Sequence, residues 1–155
     1  PQWRSGRTIC PRMSDDEPHT RPEITALLAR GVSRVLHDHG LAALLEVPLA
    51  NGRRADLMGL TPGGEIWIVE TKSCVEDYAV DQKWPEYRDY CDRFFFAVTE
   101  SFPRELIPEE VGLIVADGFG GAILRDGPPQ VLAGARRKAV TLMFARLAAQ
   151  RLAGA

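Results

Sequence analysis

Three strand-like segments follow one another at residues 44–49, 54–60 and 65–73, and they constrain the fold more than any other part of the sequence. The separators "NGR" and "TPGG" are short, and Gly and Pro make them typical turns, so the three segments predict a meander of antiparallel hairpins. The third segment, "GEIWIVETKS", begins as a buried strand with an unbroken apolar run. It then ends on two opposite charges, Glu70 and Lys72, where more core residues would be expected.

The segment "TRPEITALLARGVSRVLHDHG" precedes the strands and carries the clearest helical pattern of the chain. Its apolar residues recur at i, i+3 and i+4, which predicts one core-facing stripe. Thr20 and Glu23 have the spacing of a capping box, and Pro22 suits the first helical turn. Gly40 is placed to end the helix. We therefore predict a helix that leads into the meander.

The segment "VEDYAVDQKWPEYRDYC" follows the meander and predicts a helix that is kinked or broken near Trp84, because Pro85 disfavours helix at the residue before it. Further strands are expected at residues 94–98 and 111–116, another at 121–124 that pairs back across the "DGFG" turn, and a last amphipathic helix at about 136–152. The order α-β-β-β-α-β, followed by these elements, predicts an α/β fold with a mixed central sheet flanked by helices.

The domain organisation follows from where the apolar periodicity begins. Residues 1–19 are rich in Pro, Arg, Ser and Asp without such periodicity and predict a disordered leader, whereas residues 20–155 predict a single domain. Met13 is a candidate natural start, which would make residues 1–12 upstream sequence.

Composition excludes some classes of protein. No apolar run approaches the roughly 18 residues of a membrane-spanning helix, so we expect no membrane partner. The net charge of −2 argues against a protein that coats nucleic acid by electrostatics alone. Cys10, Cys74 and Cys91 form no CxxC pair, which favours reduced thiols and a cytoplasmic location over a secreted disulfide framework.

The charged end of the third segment needs a partner on the neighbouring strand. Side chains alternate along a strand, so Glu70 and Lys72 face the same way. Asp56 lies on the second segment, and its face depends on the length of the turn. A two-residue or four-residue turn would point it away from Glu70, whereas a three-residue turn, Pro62 to Gly64, places it directly across. Because Pro-Gly-Gly suits a turn that ends in a left-handed glycine, we predict the three-residue register.

Two carboxylates side by side repel each other unless a cation lies between them. The oxygens of Asp56 and Glu70, with the backbone carbonyl of Thr71, form a ligand set suited to Mg²⁺ or Mn²⁺. Such an ion activates water and stabilises charge on a phosphate, and Lys72 could assist. The competing interpretation is that Glu70 and Lys72 are simply a solvated strand end.

The motifs "RRAD" and "IVETKS", with the order of the elements, resemble the PD-(D/E)xK nuclease superfamily. Between residues 22 and 152, "LLEVPLANGRRADLMGL", "GEIWIVETKS", "DYAVDQKWPEYRDYCDRFFFAV", "GLIVAD" and "ARRKAVTLMFARLAAQRL" are similar to the MmcB family of bacterial DNA-repair endonucleases. The resemblance implies a restriction-endonuclease-like core, with Asp56, Glu70 and Lys72 in the catalytic positions and the first two as metal ligands. Ala55 departs from the superfamily pattern, which has proline there.

Further active-site candidates come with simpler interpretations. The resemblance implies an additional acidic residue, for which Glu23 and Glu46 are candidates, although Glu23 is explained by the capping box and Glu46 by a sheet edge. It also implies a polar residue from the following helix, for which we select Gln82 and Lys83.

Two basic clusters are candidate phosphate contacts, although adjacent charges of this kind usually form only a solvated face: Arg53 and Arg54, and Arg136, Arg137 and Lys138. "GFGG" leads into a strand rather than a helix, so it predicts a turn and not a phosphate-binding loop.

The leading hypothesis is a metal-dependent endonuclease that acts on DNA in repair, the repair role being implied by the resemblance alone. One alternative is a catalytically inactive DNA-binding or scaffold protein that keeps the nuclease fold. Another is a different enzyme with the same Mg²⁺ site, such as a nucleotide phosphohydrolase. DNA is the expected partner, and the sequence leaves open whether the protein forms a homodimer or binds other DNA-repair proteins.

Overall fold

A computed structural model describes residues 19–80 and 83–154. The predicted leader therefore lies almost entirely outside the described residues, as does Gln82. Within them the chain forms three α-helices, six strands and two short 3₁₀ helices. The α-helices are α1 (Arg21–Asp38), α2 (Val75–Val80) and α3 (Gly134–Ala153). The strands are β1 (Ala42–Pro48), β2 (Arg54–Leu60), β3 (Ile66–Lys72), β4 (Arg93–Val98), β5 (Gly112–Ala116) and β6 (Gly121–Arg125), and the 3₁₀ helices are Trp84–Tyr90 and Arg104–Leu106.

The strands of the described residues lie side by side in chain order, from β1 to β6, in one mixed sheet. β1, β2 and β3 form the predicted antiparallel meander, β3, β4 and β5 run parallel, and β6 returns antiparallel to β5. The predicted α/β fold and its element order are confirmed. The helix expected after the meander is broken, with α2 ending at Val80 and a 3₁₀ helix beginning at Trp84.

Helix α1 begins and ends where its local signals predict. Thr20 and Glu23 form both hydrogen bonds of the capping box, and Pro22 lies in the first turn. The chain leaves the helix through Gly40, whose φ of +82° lies in the left-handed region that favours glycine. The apolar stripe of α1 packs on one face of the sheet, against a cluster that includes Leu57, Val69, Phe95 and Ile114.

The second face of the sheet is covered by α3 and by the first 3₁₀ helix. Val140 and Phe144 of α3 are buried, and Trp84 and Tyr87 stack on Phe94. These aromatic rings therefore pack on the sheet. Two helical layers therefore enclose the sheet and leave the strand ends as the accessible places for a site. Among the described helices, none combines the length and apolar character that crossing a membrane requires.

Candidate active site

The turn between β2 and β3 sets the register that aligns the two acidic strands. Thr61 N–H donates to Glu65 O over 3.0 Å, and Gly64 N–H donates back to Thr61 O over 3.0 Å. Gly64 has a φ of +91°, so the three-residue turn does end in a left-handed glycine. The predicted register is confirmed, because the β2–β3 ladder pairs Leu60 with Ile66 and continues to Leu57 with Val69.

Asp56 and Glu70 lie one pair beyond the regular ladder, where side chains replace backbone groups as hydrogen-bond acceptors. Asp56 N–H donates to Glu70 Oε1 over 2.9 Å. Reciprocally, Asp56 Oδ2 accepts from Thr71 N–H over 2.9 Å and from Thr71 Oγ1 over 3.0 Å. These crossed bonds hold the two carboxyl groups beside each other at the end of the hairpin.

The three residues that end β3 are buried although all are polar: Glu70 is 4% exposed, Thr71 8% and Lys72 8%. Burial, followed by the negative charge of Asp56, raises the pKa of Glu70 from 4.5 to about 9. Lys72 lies close enough to Glu70 to oppose this rise in pKa electrostatically. A solvated strand end would show neither this burial nor this pKa, so the simpler interpretation of the two charges does not describe the structure.

The additional acidic candidates do not join the pair. Glu23 is exposed and bonded to Thr20 in the capping box. Glu46 lies on β1 between the residues that pair with Ala55 and Leu57, but its side chain is 68% exposed and points to Arg54, with Oε1 3.9 Å from Nη2. Within the described part of the chain, no three His, Cys, Asp or Glu side chains gather in a group that could hold a metal ion.

The backbone of Glu46 is unusual, since its φ of +49° is uncommon for a residue with a side chain. Arg151, near the end of α3, donates to the carbonyls of Leu45 and Glu46 and so holds this conformation. Sequence reasoning missed Arg151, because a basic residue in the last helical turn usually indicates only a favourable interaction with the helix dipole.

The basic candidates lie in two different places. Arg54 is 66% exposed beside the acid pair, and Arg53 donates through Nε to Glu86 Oε2 over 2.6 Å. Arg137 instead forms a bidentate pair with Asp92 and donates to Gly64 O over 3.0 Å. The start of α3, and with it Arg136 and Lys138, therefore lies at the turn end of the β2–β3 hairpin, opposite to the acid pair.

Arg136 is also engaged, because its guanidinium lies 4.4 Å from the centre of the Tyr90 ring. Lys138 is exposed on α3. Of the two candidates after α2, Lys83 is exposed, and Gln82 lies outside the described residues. The structure thus gathers Asp56, Glu70, Thr71, Lys72 and Arg54 at one end of the hairpin.

A cleft of about 460 Å³ opens at the carboxyl ends of the parallel strands, beside Leu27 and Leu28 of α1. Val69 faces α1, so the Glu70 side chain points to the opposite face of the sheet from this cleft. The lining of the cleft includes Ser73, directly after Lys72, with Thr99 and Ser101 after β4 and Asp117 and Gly118 after β5. Ligands of open α/β sheets bind at this edge of the sheet. The cleft was not visible in the sequence, because it forms from segments far apart along the chain.

Comparison with known proteins connects this geometry to a family. The chain matches the family model described as DNA repair protein MmcB-like over residues 14–155. It is 50% identical to a protein of unknown function from Silicibacter pomeroyi, SPO1766, over 81% of this chain and 86% of that chain, with a TM-score of 0.78. A repair endonuclease from Pyrococcus abyssi is 17% identical over 74% of this chain and 50% of that chain, with a TM-score of 0.39. No curated protein matches the sequence significantly. Because the family model spans nearly the whole described structure, the acid pair included, this protein belongs to the MmcB-like DNA repair protein family.

Proposed function

We propose that this protein is a metal-dependent nuclease that hydrolyses phosphodiester bonds of DNA at the Asp56–Glu70 pair. The observation that carries the proposal is the buried carboxyl group of Glu70 beside the half-buried carboxylate of Asp56, which together raise the pKa of Glu70 to about 9. A protein gains no stability from such an arrangement, so its presence points to a ligand. Membership of a DNA-repair family supports DNA as the substrate.

The donor set fits a hard divalent cation. Asp56 and Glu70 would supply carboxylate oxygens, and the backbone carbonyl of Thr71 would complete the protein ligands. Two carboxylates are enough for Mg²⁺, which keeps several of its own waters, and Mn²⁺ accepts the same ligands. Without the ion, Glu70 retains a proton because burial and the charge of Asp56 disfavour its ionised form. A bound cation would take the place of that proton and stabilise the ionised carboxylate.

A bound divalent cation would supply an activated water and stabilise negative charge on the phosphate. The protein's own groups would prepare the reaction. Thr71 fixes one oxygen of Asp56 through two hydrogen bonds, so the carboxylate is oriented before substrate binds. Lys72, buried beside Glu70, would place a positive charge next to the phosphate that is cleaved. Arg54, exposed two positions from Asp56, would contact a neighbouring phosphate, and Lys83 is a further candidate.

The experiment is cleavage of single-stranded, duplex, flap and junction DNA with Mg²⁺, with Mn²⁺ and with EDTA. Wild-type protein is compared with Asp56→Asn, Glu70→Gln and Lys72→Met. Each substitution nearly preserves side-chain volume while it removes an ionisable group, and Glu105→Gln, on an exposed 3₁₀ helix, serves as the matched control. We expect the three site variants to lose cleavage by about 100-fold or more, and the control to keep it. Cleavage that survives all three substitutions, or that persists in EDTA, would refute the proposal.

The alternative is a nuclease-fold protein that binds DNA without cutting it. One observation favours it: within the described residues, no third acidic, His or Cys side chain joins Asp56 and Glu70. Such a protein would bind DNA, show no cleavage with either metal, and gain no thermal stability from Mn²⁺. Thermal unfolding with and without Mn²⁺ separates the two, because a ligand that binds only the folded state raises the midpoint of unfolding.

A further inference from the structure

A groove on the outer side of α1 combines positive charge with an exposed aromatic ring. Its volume is about 360 Å³, and its lining consists of Arg30, Ser33, Arg34, His37, Gly118 and Phe119. The first four come from α1, and the last two come from the turn between β5 and β6. None of these lining residues belongs to the acid pair or to the two basic clusters that were candidate phosphate contacts.

Phe119 is 62% exposed, although Phe is among the residues most often buried. Its turn is well ordered by hydrogen bonds. Asp117 Oδ1 accepts from Phe119 N–H over 2.8 Å and from Gly120 N–H over 3.0 Å. Asp117 N–H also donates to Gly120 O over 2.8 Å. The exposed ring is therefore held on a defined turn.

Helix α1 packs directly against this turn. A Cβ atom on Gly31 would lie 1.7 Å from the carbonyl oxygen of Asp117, so only glycine permits the approach. Arg34 Nη1 donates to Phe119 O over 3.3 Å and ties the helix to the turn a second time. A ring on a rigid support loses little conformational entropy when it binds a ligand, which favours a binding role.

The charged side chains that line the groove are all basic. Its lining includes no carboxylate, and Arg30, Arg34 and His37 are all exposed. Among the residues that the structure describes, no carboxylate oxygen lies within 4.0 Å of these three side chains. Arginine beside an exposed aromatic ring is the combination that binds single-stranded nucleic acid, because the ring stacks on a base while the guanidinium contacts phosphate.

The groove adjoins a second depression of the surface beside α1. It shares Gly118 with the cleft at the ends of the parallel strands, and that cleft extends to Ser73, next to Lys72.

We propose that this groove binds a single-stranded segment of the DNA substrate, with a base stacked on Phe119 and phosphates on Arg30 and Arg34. The inference rests on the proposed function for the choice of DNA. It adds a substrate class, namely DNA with an unpaired strand, because a base within a duplex cannot stack on a protein ring.

The test measures binding of a fluorescent oligothymidine by anisotropy in EDTA, where no metal-dependent cleavage occurs. Phe119→Ala is expected to weaken binding by about fivefold or more, and Phe119→Trp to preserve it. Arg30→Gln and Arg34→Gln should each reduce the slope of log Kd against log salt concentration by about 0.7. Duplex DNA should respond less to Phe119→Ala than the single strand does.

The matched controls are Leu106→Ala and Arg104→Gln on the second 3₁₀ helix. Leu106 is 42% exposed, and the next residue, Ile107, packs on the sheet face opposite to α1. These controls should leave binding unchanged. Equal binding by Phe119→Ala and Leu106→Ala would overturn the inference.

The result also separates the inference from the proposed function. If Phe119→Ala weakens binding but the wild type cuts no DNA with Mg²⁺ or Mn²⁺, the proposed DNA-binding role of the groove is supported and the nuclease proposal fails. If the wild type cuts DNA and Phe119→Ala binds single-stranded DNA normally, the nuclease proposal stands and the proposed DNA-binding role of the groove is refuted.

Discussion

Replacing Glu70 by glutamine is expected to stabilise the metal-free protein at neutral pH. Burial, and then the charge of Asp56, raise the pKa of Glu70 from 4.5 to about 9. At pH 7 the folded protein therefore keeps a proton on Glu70 that the unfolded chain releases. Because the folded state binds the additional proton, its stability is full below pH 4.5 and falls as the pH rises toward about 9.

The size of the effect follows from the difference between the pKa of Glu70 in the unfolded chain and its pKa in the folded protein. Each pH unit in this window costs about 1.4 kcal/mol of the free energy of unfolding. From the ordinary value of 4.5 to pH 7 the loss is about 3 kcal/mol. Glutamine has nearly the same shape, and its side-chain oxygen can accept from Asp56 N–H as Glu70 does, while its amide can donate to a neighbouring carboxylate. The variant should therefore keep the contacts without the pH-dependent loss.

The assay is urea unfolding in EDTA between about pH 5 and pH 8, for wild type, Glu70→Gln and the exposed control Glu105→Gln. The free energy of unfolding of Glu70→Gln, relative to wild type, should grow by about 1.4 kcal/mol per pH unit. The control should show no such trend. A difference that stays constant over this range would mean that Glu70 is ionised in the folded protein, and it would refute the electrostatic account of the site.

Three further predictions test the same geometry. Binding of Mn²⁺ near pH 7 should release about one proton per ion from Glu70, measured by calorimetry in two buffers of different ionisation enthalpy, and release of none would contradict the proposed ligand. Thr71→Val removes the 3.0 Å hydrogen bond to Asp56 but preserves side-chain shape, so it should cost about 1 kcal/mol in urea unfolding and weaken Mn²⁺ binding. Gly31→Ala would place a Cβ 1.7 Å from a carbonyl oxygen of the β5–β6 turn and should cost about 1 kcal/mol or more in thermal unfolding. Gly134→Ala, whose Cβ would meet nothing within 4 Å, is its control, and equal stability of the two variants would show that α1 does not pack closely on the turn.

The sequence alone determined those features that depend on neighbouring residues. The capping box of α1 needs only Thr20 and Glu23, and the structure forms both of its bonds. The β2–β3 register needs only the length and chemistry of the turn, so the position of Asp56 opposite Glu70 could be worked out in advance. A hairpin is a local structure, and its side-chain alternation carries the turn geometry to the far end of both strands.

The tertiary structure alone decided the features that depend on distant segments. Arg137 belonged to a promising basic cluster, yet it pairs with Asp92, which lies 45 positions away along the chain. Phe119 belonged to a turn of no evident function, yet the packing of α1 on that turn makes it part of a positively charged groove. Glu70 itself was visible as a charge, whereas its pKa depends on the layers that exclude water from it. The burial and the electrostatic environment of a side chain depend on all the groups that folding brings around it. Many of those groups are distant along the chain, so a local sequence pattern does not predict them.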